Sequence, residues 1–313
     1  MTASLRAWRD AADRTAERRR PVWWATFLSL FALAALWSFA SPLSSGPDEP
    51  NHLAYAAAIW EGDPLATDVV PGDPGFPPGR EAVARHLSAS SVPAWVVNVQ
   101  SQPNCFAFYA QIPADCSPDI GDATESVTVY HTFGRYPPTY YALVGWPTAF
   151  LSGDTAYHAV RLVSAALCAA IVASAMTSAV ALAGRRRVTV LGVALSLTPL
   201  AVFLFGTVTS SALEIAAGLL LWLAGLDLLT RRGPPPTRLV VRTATAGVLL
   251  AWTRPGGFAY VAAIGLVLLV ATVDRERAGE LLRTRSTQIG LGAVAGAVLV
   301  GAGDGPELSL IHI

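Results

Sequence analysis

Long apolar runs alternate with short polar connectors along most of the chain, and one long polar stretch interrupts the pattern near its start. A helix needs about 20 mostly apolar residues to cross a bilayer. Runs that approach or exceed this length predict about seven transmembrane helices, with the polar stretch between the first two. They cover 22–40, 156–183, 188–205, 212–229, 239–252, 257–272 and 287–301.

The placement of arginine decides the orientation of these helices. Lysine is absent, and the Arg residues cluster in short connectors. The aromatic-rich segment 135–150 is short and is broken by Pro147. If this segment crossed the membrane, the 185–187 triplet and Arg231 would lie outside, whereas an interfacial segment puts every cluster inside. Cytoplasmic loops carry the excess of Arg, so we expect the second arrangement.

The first apolar run follows a basic start, as in a signal peptide, but it is too long and lacks a clear cleavage site, so we expect a retained helix. The sequence thus predicts an all-α, multi-pass protein of the cell (cytoplasmic) membrane. Its parts are a basic cytoplasmic N-terminus (1–21), a first transmembrane helix (22–40), an extracytoplasmic loop with juxtamembrane helices (41–155), a bundle of about six helices (156–301) and a truncated end (302–313).

The large loop carries two local predictions, a short helix over 80–90 and a short strand over 94–99. It also holds Cys105 and Cys116. Disulfides persist outside the cytoplasm, so a Cys105–Cys116 disulfide is a candidate, although sequence alone does not establish the pairing. Cys168 lies inside an apolar run and is most simply a small core residue.

Composition excludes other classes. Hydrophobic residues make up 53% of the chain and charged residues 14%, which argues against a soluble domain of this length and for a lipid bilayer as partner. Arg clusters lie only in short connectors, so nucleic-acid binding has no support.

Residues 308–313 match one reading frame of a sequencing-library adaptor. We therefore expect the natural chain to continue, the alternative being a genuine short tail.

Two adjacent carboxylates, Asp48 and Glu49, directly follow the first apolar run and lie between two prolines. Proline is tolerated in the first turn of a helix, where its missing N–H has no partner. The pattern predicts a helix that begins at an Asp48 or Glu49 N-cap and ends at Gly62. Helical spacing places Asp48, His52 and Tyr55 on one face, with Glu49 about a quarter-turn away. Taken alone, this is a capped helix at a membrane surface.

Further ionisable groups fall at the outer ends of the predicted helices. At membrane depth such groups cost roughly 2–3 kcal/mol or more, so they usually face a cavity or one another. Glu214 either snorkels to the interface, pairs with an Arg or serves a site. Arg254 is either an interfacial anchor or a cation for a phosphate, which suits a guanidinium. We also expect the outer side to carry Arg135, Tyr140 and Arg161. The two histidines His131 and His158 are expected to be structural.

Carboxylates beside a bilayer, facing an Arg, suit the chemistry of a lipid-linked phosphosugar. Its head group would lie at the outer interface. A carboxylate would accept the proton of an acceptor hydroxyl, and Arg254 would stabilise the leaving phosphate.

The stretch Gly-Pro-Asp-Glu-Pro-Asn-His-Leu-Ala-Tyr at 46–55 resembles the signature of a bacterial multi-pass membrane family, domain of unknown function 2142. Segments 209–217 and 253–258 resemble further blocks of that family, and the resemblance spans about 20–300. The family is in turn similar to the GT-C glycosyltransferases, which carry an acidic residue or pair in the first outer loop and use polyprenyl-phosphate sugars. Tyr136 departs from their pattern, because a basic or His residue usually precedes the two prolines.

The resemblance implies a catalytic role for Asp48, as base or as ligand of a divalent cation (Mg or Mn), with Glu49 as its partner. It implies transfer of a sugar from a polyprenyl-phosphate donor to an envelope glycan or protein. The alternatives are a transporter or flippase of lipid-linked glycans, and a non-catalytic envelope assembly protein. The candidate substrate-binding residues are His52, Tyr55, Arg135, Tyr140, Arg161, Glu214 and Arg254.

Overall fold

The computed structural model describes residues 2–64, 66–69, 76, 84, 86–109, 111–182, 186–231, 233–272 and 275–303, with no account of the side chains of 2–18, 186, 272, 275, 276, 278 and 301–303. The chain is mostly helical. The first helices and strands are α1 (Thr2–Ala40), α2 (Glu49–Trp60), β1 (Thr67–Asp68), β2 (Ser88–Pro93), α3 (Trp95–Ser101), β3 (Ser126–His131) and α4 (Thr139–Val144). The remaining helices are α5 (Gly153–Ala179), α6 (Arg186–Ser196), α7 (Pro199–Phe205), α8 (Ser210–Thr230), α9 (Thr237–Ala251), α10 (Gly257–Thr272), α11 (Arg275–Leu282) and α12 (Arg285–Gly303).

The apolar helices pack side by side into one bundle. Helix α1 packs along α5, α5 against α8, α8 against α9 and α10, and α9 against α12. Within the described residues, three helical stretches are long and apolar enough to cross a membrane, namely 19–40, 153–179 and 210–230. Helices α6 and α7 together would add a fourth, and α10 and α12 are shorter apolar helices.

The apolar run 188–205, predicted as one helix, is instead broken into α6 and α7, which meet at an angle of 67°. Pro199 causes the break, because it lacks an N–H and forces the preceding residue out of the helical region. Thr198 is accordingly extended, with ψ 160°, and its hydroxyl caps α7 by accepting from Ala201 N at 3.2 Å.

The segment between α1 and α5 forms a small mixed unit, so the all-α prediction is wrong for this part. Strands β1, β2 and β3 pair antiparallel in that order, with Ser88 opposite His131 and Pro93 opposite Ser126. The strand predicted over 94–99 is also wrong, because helix α3 begins at Trp95. Trp95, Val96 and Val99 are buried, which is the spacing of one helical face.

The helix predicted over 80–90 falls partly outside the described residues, and Ser88 to Ser90 belong to β2. The aromatic segment before α5 contains only the two turns of α4 and a 3₁₀ turn at Trp146–Ala149, both too short to span a bilayer. Helix α2 begins after its N-cap Asp48 and ends at Trp60, before Gly62 with φ 89°, as predicted. It lies among α3, α4, β2 and β3, so its orientation is set by the whole mixed unit.

Candidate functional site

Glu49 and Arg161 form a fully buried ion pair at the junction of α1, α2 and α5. Arg161 Nε donates to Glu49 Oε1 at 2.7 Å and Nη2 donates to Oε2 at 2.6 Å, and both side chains are 0% exposed. The same guanidinium donates to the carbonyls of Ser38, Ser41 and Pro42 at 2.8–3.2 Å. These carbonyls belong to the last turn of α1 and the residues after it, where helical partners are missing. Arg161 therefore caps the C-terminus of α1 and also neutralises the charge of Glu49.

The Glu49 carboxylate accepts two further hydrogen bonds. Gly46 N donates to Oε2 at 3.1 Å, and Val208 N, in the turn before α8, donates to Oε1 at 2.9 Å. A Cβ at position 46 would lie 3.0 Å from Glu49 Oε2 and 3.2 Å from Thr207 Cβ, so this close approach favours glycine. The pair, with its backbone donors and acceptors, is a clasp that joins α1, α2, α5 and the start of α8. We call it the Glu49–Arg161 clasp.

Asp48, the neighbouring carboxylate, is exposed to solvent, in contrast to the buried Glu49. Its backbone has φ 54° and ψ 14°, a left-handed conformation that Asp adopts more readily than most residues. Its carbonyl accepts from Asn51 N and His52 N, which starts α2. Its side chain is exposed and makes no capping bond, and no ion pair joins it to any residue that the structure describes. Asp48 is thus the available carboxylate of the two.

His52 is buried between aromatic rings and hydroxyls. Its Nδ1 lies 2.8 Å from Tyr141 Oη and its Nε2 lies 3.4 Å from Thr209 Oγ1, while Phe133 stacks on the ring at a centroid distance of 3.8 Å. Burial lowers the pKa of His52 to about 3, and the positive charges of Arg254 and His131 act in the same direction. His52 is therefore a neutral link between α2, α4 and α8.

Tyr140 and Tyr55 reinforce the same junction. Tyr140 Oη accepts from Thr209 N at 2.8 Å and lies 3.0 Å from Ser164 Oγ, so it joins α4 to α5 and α8. Tyr55 Oη donates to Tyr136 O at 3.1 Å. Burial raises the pKa of Tyr55 to about 12, with a further contribution from the negative charge of Asp63. Both phenols stay protonated at neutral pH and hold backbone in place.

A second charged group, which we call the Arg254 cluster, contains Arg254, Glu214 and Tyr136. Arg254 Nη1 donates to Glu214 Oε2 at 3.1 Å, and Arg254 and the Tyr136 side chain lie close enough to shift each other's pKa. Burial alone would lower the pKa of Arg254, but the charges of Glu214 and Tyr136 outweigh it and raise the pKa. The guanidinium therefore stays charged while its side chain remains 31% exposed, so part of it is open to a ligand.

Asp48 lies within electrostatic reach of the Arg254 cluster. Burial raises the pKa of Tyr136, Arg254 opposes this, and the negative charges of Asp48 and Glu214 add to the rise. Polar groups from four separate parts of the chain, Asp48, Tyr136, Glu214 and Arg254, thus come together at the mixed-unit end of the bundle.

Arg135 does not join this group. Its Nη2 pairs with Asp68 Oδ1 at 3.0 Å on an exposed surface of β1. Tyr136, named from the sequence beside the interfacial segment and as a departure from a family pattern, is the aromatic residue that interacts electrostatically with Arg254. Its position directly after Arg135 and before two prolines was the available signal. Thr209 and Tyr141 were likewise visible in polar blocks, but their contacts with His52 depend on pairings across the fold.

The structure joins Cys105 and Cys116 in a disulfide, and it buries Cys168 in α5. Within the described ranges, no three His, Cys, Asp or Glu side chains converge as a metal site would require. Glu49 and Glu214 each pair with an arginine, which leaves Asp48 as the carboxylate here that a cation could use without breaking an ion pair.

Comparison with known proteins places these features in a family. No curated protein and no solved structure gives a significant match. A family model described as "Predicted membrane protein (DUF2142)" matches residues 31–302, which include the Glu49–Arg161 clasp, Asp48 and the Arg254 cluster. The chain belongs to this family of predicted membrane proteins.

Proposed function

We propose that this protein is a GT-C-like membrane glycosyltransferase that moves a sugar from a polyprenyl-phosphate donor to an envelope glycan or protein. The observation that carries the proposal is an exposed carboxylate without an ion pair, Asp48, that acts electrostatically on the same tyrosine, Tyr136, as a partly exposed arginine, Arg254. Asp48 offers a base, and the Arg254 cluster offers a cation for a phosphate.

The proposed reaction assigns one role to Asp48 and another to Arg254. The Asp48 carboxylate accepts the proton of an acceptor hydroxyl as its oxygen bonds to the anomeric carbon of the donor sugar. The bond between that carbon and the phosphate oxygen breaks, and the polyprenyl phosphate leaves with its bonding electrons. Arg254 stabilises the negative charge that develops on the leaving phosphate.

Glu49 and Arg161 have a positioning role in this proposal. The hydrogen-bond partners of the Glu49 carboxylate all lie inside the fold, and neither the Glu49 nor the Arg161 side chain reaches solvent. The clasp holds the left-handed turn that presents Asp48, and His52 and Tyr140 brace α2 and α4 against α8. Substrate contact is left to Asp48, Glu214 and Arg254.

The proposed topology supports the location of the site. About seven spans, a cytoplasmic N-terminus and an outer segment 41–155 put Asp48 outside, at the membrane surface. A polyprenyl donor has its lipid chain in the bilayer and its head group at that surface. A Cys105–Cys116 disulfide agrees with an outer location.

A divalent cation fits these residues poorly. Mg²⁺ takes oxygen ligands and is often held by one or two carboxylates together with substrate phosphates. Only Asp48 is available for this among the described carboxylates at the site, since Glu49 and Glu214 are paired. The reaction above therefore has no step through a metal.

A flippase would use the same residues to bind a lipid-linked glycan without reacting, and an assembly factor would need neither activity. Purified full-length protein in liposomes distinguishes them when a radiolabelled polyprenyl-phosphate sugar is supplied with a membrane extract as acceptor source. Transfer predicts loss of the sugar from the lipid and its appearance in a larger product. Movement of the intact lipid between leaflets, with no change in its mass, would contradict the proposal in favour of a flippase.

A further inference from the structure

A cavity of about 730 Å³ lies beside Asp48, on the side formed by the mixed unit. The turn before α2 forms one wall, and the segment after α3 forms another. This volume is within the usual range for small-molecule sites, about 300–1,000 Å³. We call it the Phe108 cavity, and its lining includes Asp48, Asn51, Gln100, Phe106, Phe108 and Tyr130.

Unusual backbone conformations concentrate around this cavity. Of the residues that the structure describes, three that are not glycine have a positive φ, namely Ser44 (63°), Asp48 (54°) and Phe108 (68°). All three line the Phe108 cavity. A left-handed backbone is costly for a bulky side chain such as Phe, and such conformations gather at ligand sites, where they aim particular groups. The backbone is thus arranged around this space from two distant parts of the sequence.

Phe108 is also fully exposed, at 105%. An exposed aromatic ring gains none of the free energy that burial would provide, and exposed apolar groups are typical of binding surfaces. The exposure of Phe108 therefore indicates a contact with a ligand. The segment that carries Phe108 is closed by the Cys105–Cys116 disulfide and by a 2.9 Å hydrogen bond from Ser117 Oγ to Gln102 O. The ring is therefore displayed on an anchored loop.

The lining selects the chemistry of the ligand. Asp48 is its single charged side chain, and the described lining contains no Arg or His, so a phosphate or other anion is disfavoured here. Asn51 and Gln100 offer amides, and Gln100 is fixed by donating from Nε2 to Tyr130 O at 3.1 Å. Phe106, Phe108 and Tyr130 offer aromatic faces. A neutral sugar matches this combination, because its ring has apolar C–H faces and a rim of hydroxyls.

We infer that the Phe108 cavity binds a neutral glycan, with a sugar ring against Phe108 and a hydroxyl directed to Asp48. The description of this glycan as the acceptor rests on the proposed function, whereas its binding does not. Asp48 would then contribute both to sugar recognition beside Phe108 and to the electrostatic surroundings of the Arg254 cluster.

Photo-crosslinking tests the inference directly. Phe108 is replaced by p-benzoylphenylalanine in the full-length protein, which is placed in phospholipid nanodiscs with linear neutral hexose and pentose oligosaccharides and irradiated. The expected result is a protein adduct with the mass of an oligosaccharide. The same replacement at Tyr109 is the control, because Tyr109 is exposed on the same loop but does not line the cavity.

Two outcomes would overturn the inference. One is an adduct with the mass of a phospholipid at position 108, which would mean that the ring enters the bilayer. The other is an oligosaccharide yield at position 108 no higher than at position 109. Equilibrium binding gives a second measurement, in which Phe108→Ala weakens the oligosaccharide about three- to tenfold and Tyr109→Ala does not.

The result separates this inference from the proposed function. An oligosaccharide adduct in a protein that transfers no sugar supports the cavity and counts against the transferase. Transfer activity in a protein that gives no such adduct counts against the cavity and leaves the transferase standing.

Discussion

Arg161 Nη2 lies 2.6 Å from Glu49 Oε2, and this buried contact links residues 112 positions apart in the chain. Together with the bond from Nε to Oε1, it forms a two-pronged pair without access to solvent. Glu49 is adjacent to Asp48, so the same four-residue turn carries one carboxylate that is locked in the fold and one that is free. Glu49 therefore stabilises the fold, whereas Asp48 remains available to a substrate.

Loss of either clasp residue should destabilise the protein. Arg161→Met leaves Glu49 buried without its counter-ion, and removing one partner of a buried pair typically costs about 3–5 kcal/mol. The expected result is a large drop in the thermal midpoint of the detergent-solubilised protein, measured by loss of the monodisperse chromatography peak. Arg135→Met is the matched control, because Arg135 makes an exposed pair with Asp68. Equal midpoints for the two variants would contradict a structural role for the clasp.

Removal of the Arg254 charge should weaken the donor more than it affects folding. Arg254→Gln deletes a charge-assisted contact to phosphate, worth about 1.5–3 kcal/mol, so the donor KM should rise roughly 10- to 150-fold. Arg254→Lys should retain part of the affinity, because it keeps the charge but loses the planar fork. Initial rates across donor concentrations measure both. An unchanged donor KM in Arg254→Gln would remove Arg254 from the phosphate site.

Acid should destabilise the junction that holds α2. The pKa of His52 is about 3 in the folded protein against an ordinary value of 6.5, so between these values the unfolded chain binds a proton that the folded chain does not. Stability present above pH 6.5 is therefore lost as the pH falls toward 3. The pKa of His131, lowered by burial to about 4, adds to the same loss.

The replacement His52→Gln isolates this contribution. Chemical denaturation from pH 7 to pH 4.5 should show a stability slope that is shallower by about one proton than that of the wild type. A slope that is unchanged in the variant would mean that His52 does not become buried as a neutral imidazole.

The proposed outer location of the site can be tested without an activity assay. Reporter fusions at Gly121, between α3 and β3, and at Arg186, the first residue of α6, should report opposite sides of the membrane, with Gly121 outside. A reporter on the same side at both positions would contradict the topology and the placement of Asp48 with it.

Local rules predicted the start and end of α2, because Pro50 and Gly62 act within their own turns. The same rules failed for the mixed unit. The small, polar residues of β2 form a strand because β3 pairs with them from more than thirty positions away. The reverse error at 94–99 arose from a run of valines, whose burial on one helical face depends on what packs there.

The site was predicted in part for a similar reason. Glu49 was selected from the sequence because it adjoins Asp48 and through the family resemblance, and Arg161 because a charge at membrane depth is costly and usually has a purpose. Their roles could not be assigned from the sequence. A side chain that forms an internal ion pair and one that binds a substrate carry the same charge, and only the structure shows which partner each one has. Phe108 carried no signal at all, since an exposed aromatic residue with a left-handed backbone is visible only in three dimensions.

The rate of sugar transfer by Asp48→Asn tests directly whether Asp48 is the reacting carboxylate. The full-length variant is reconstituted beside Asp122→Asn, which removes an exposed carboxylate of the same segment away from the site. We expect Asp48→Asn to fold and to bind the polyprenyl donor normally but to transfer sugar at least about 100-fold more slowly, the loss expected for a general base. Asp122→Asn should match the wild type. Wild-type transfer by Asp48→Asn would contradict the assignment of Asp48 as the reacting carboxylate.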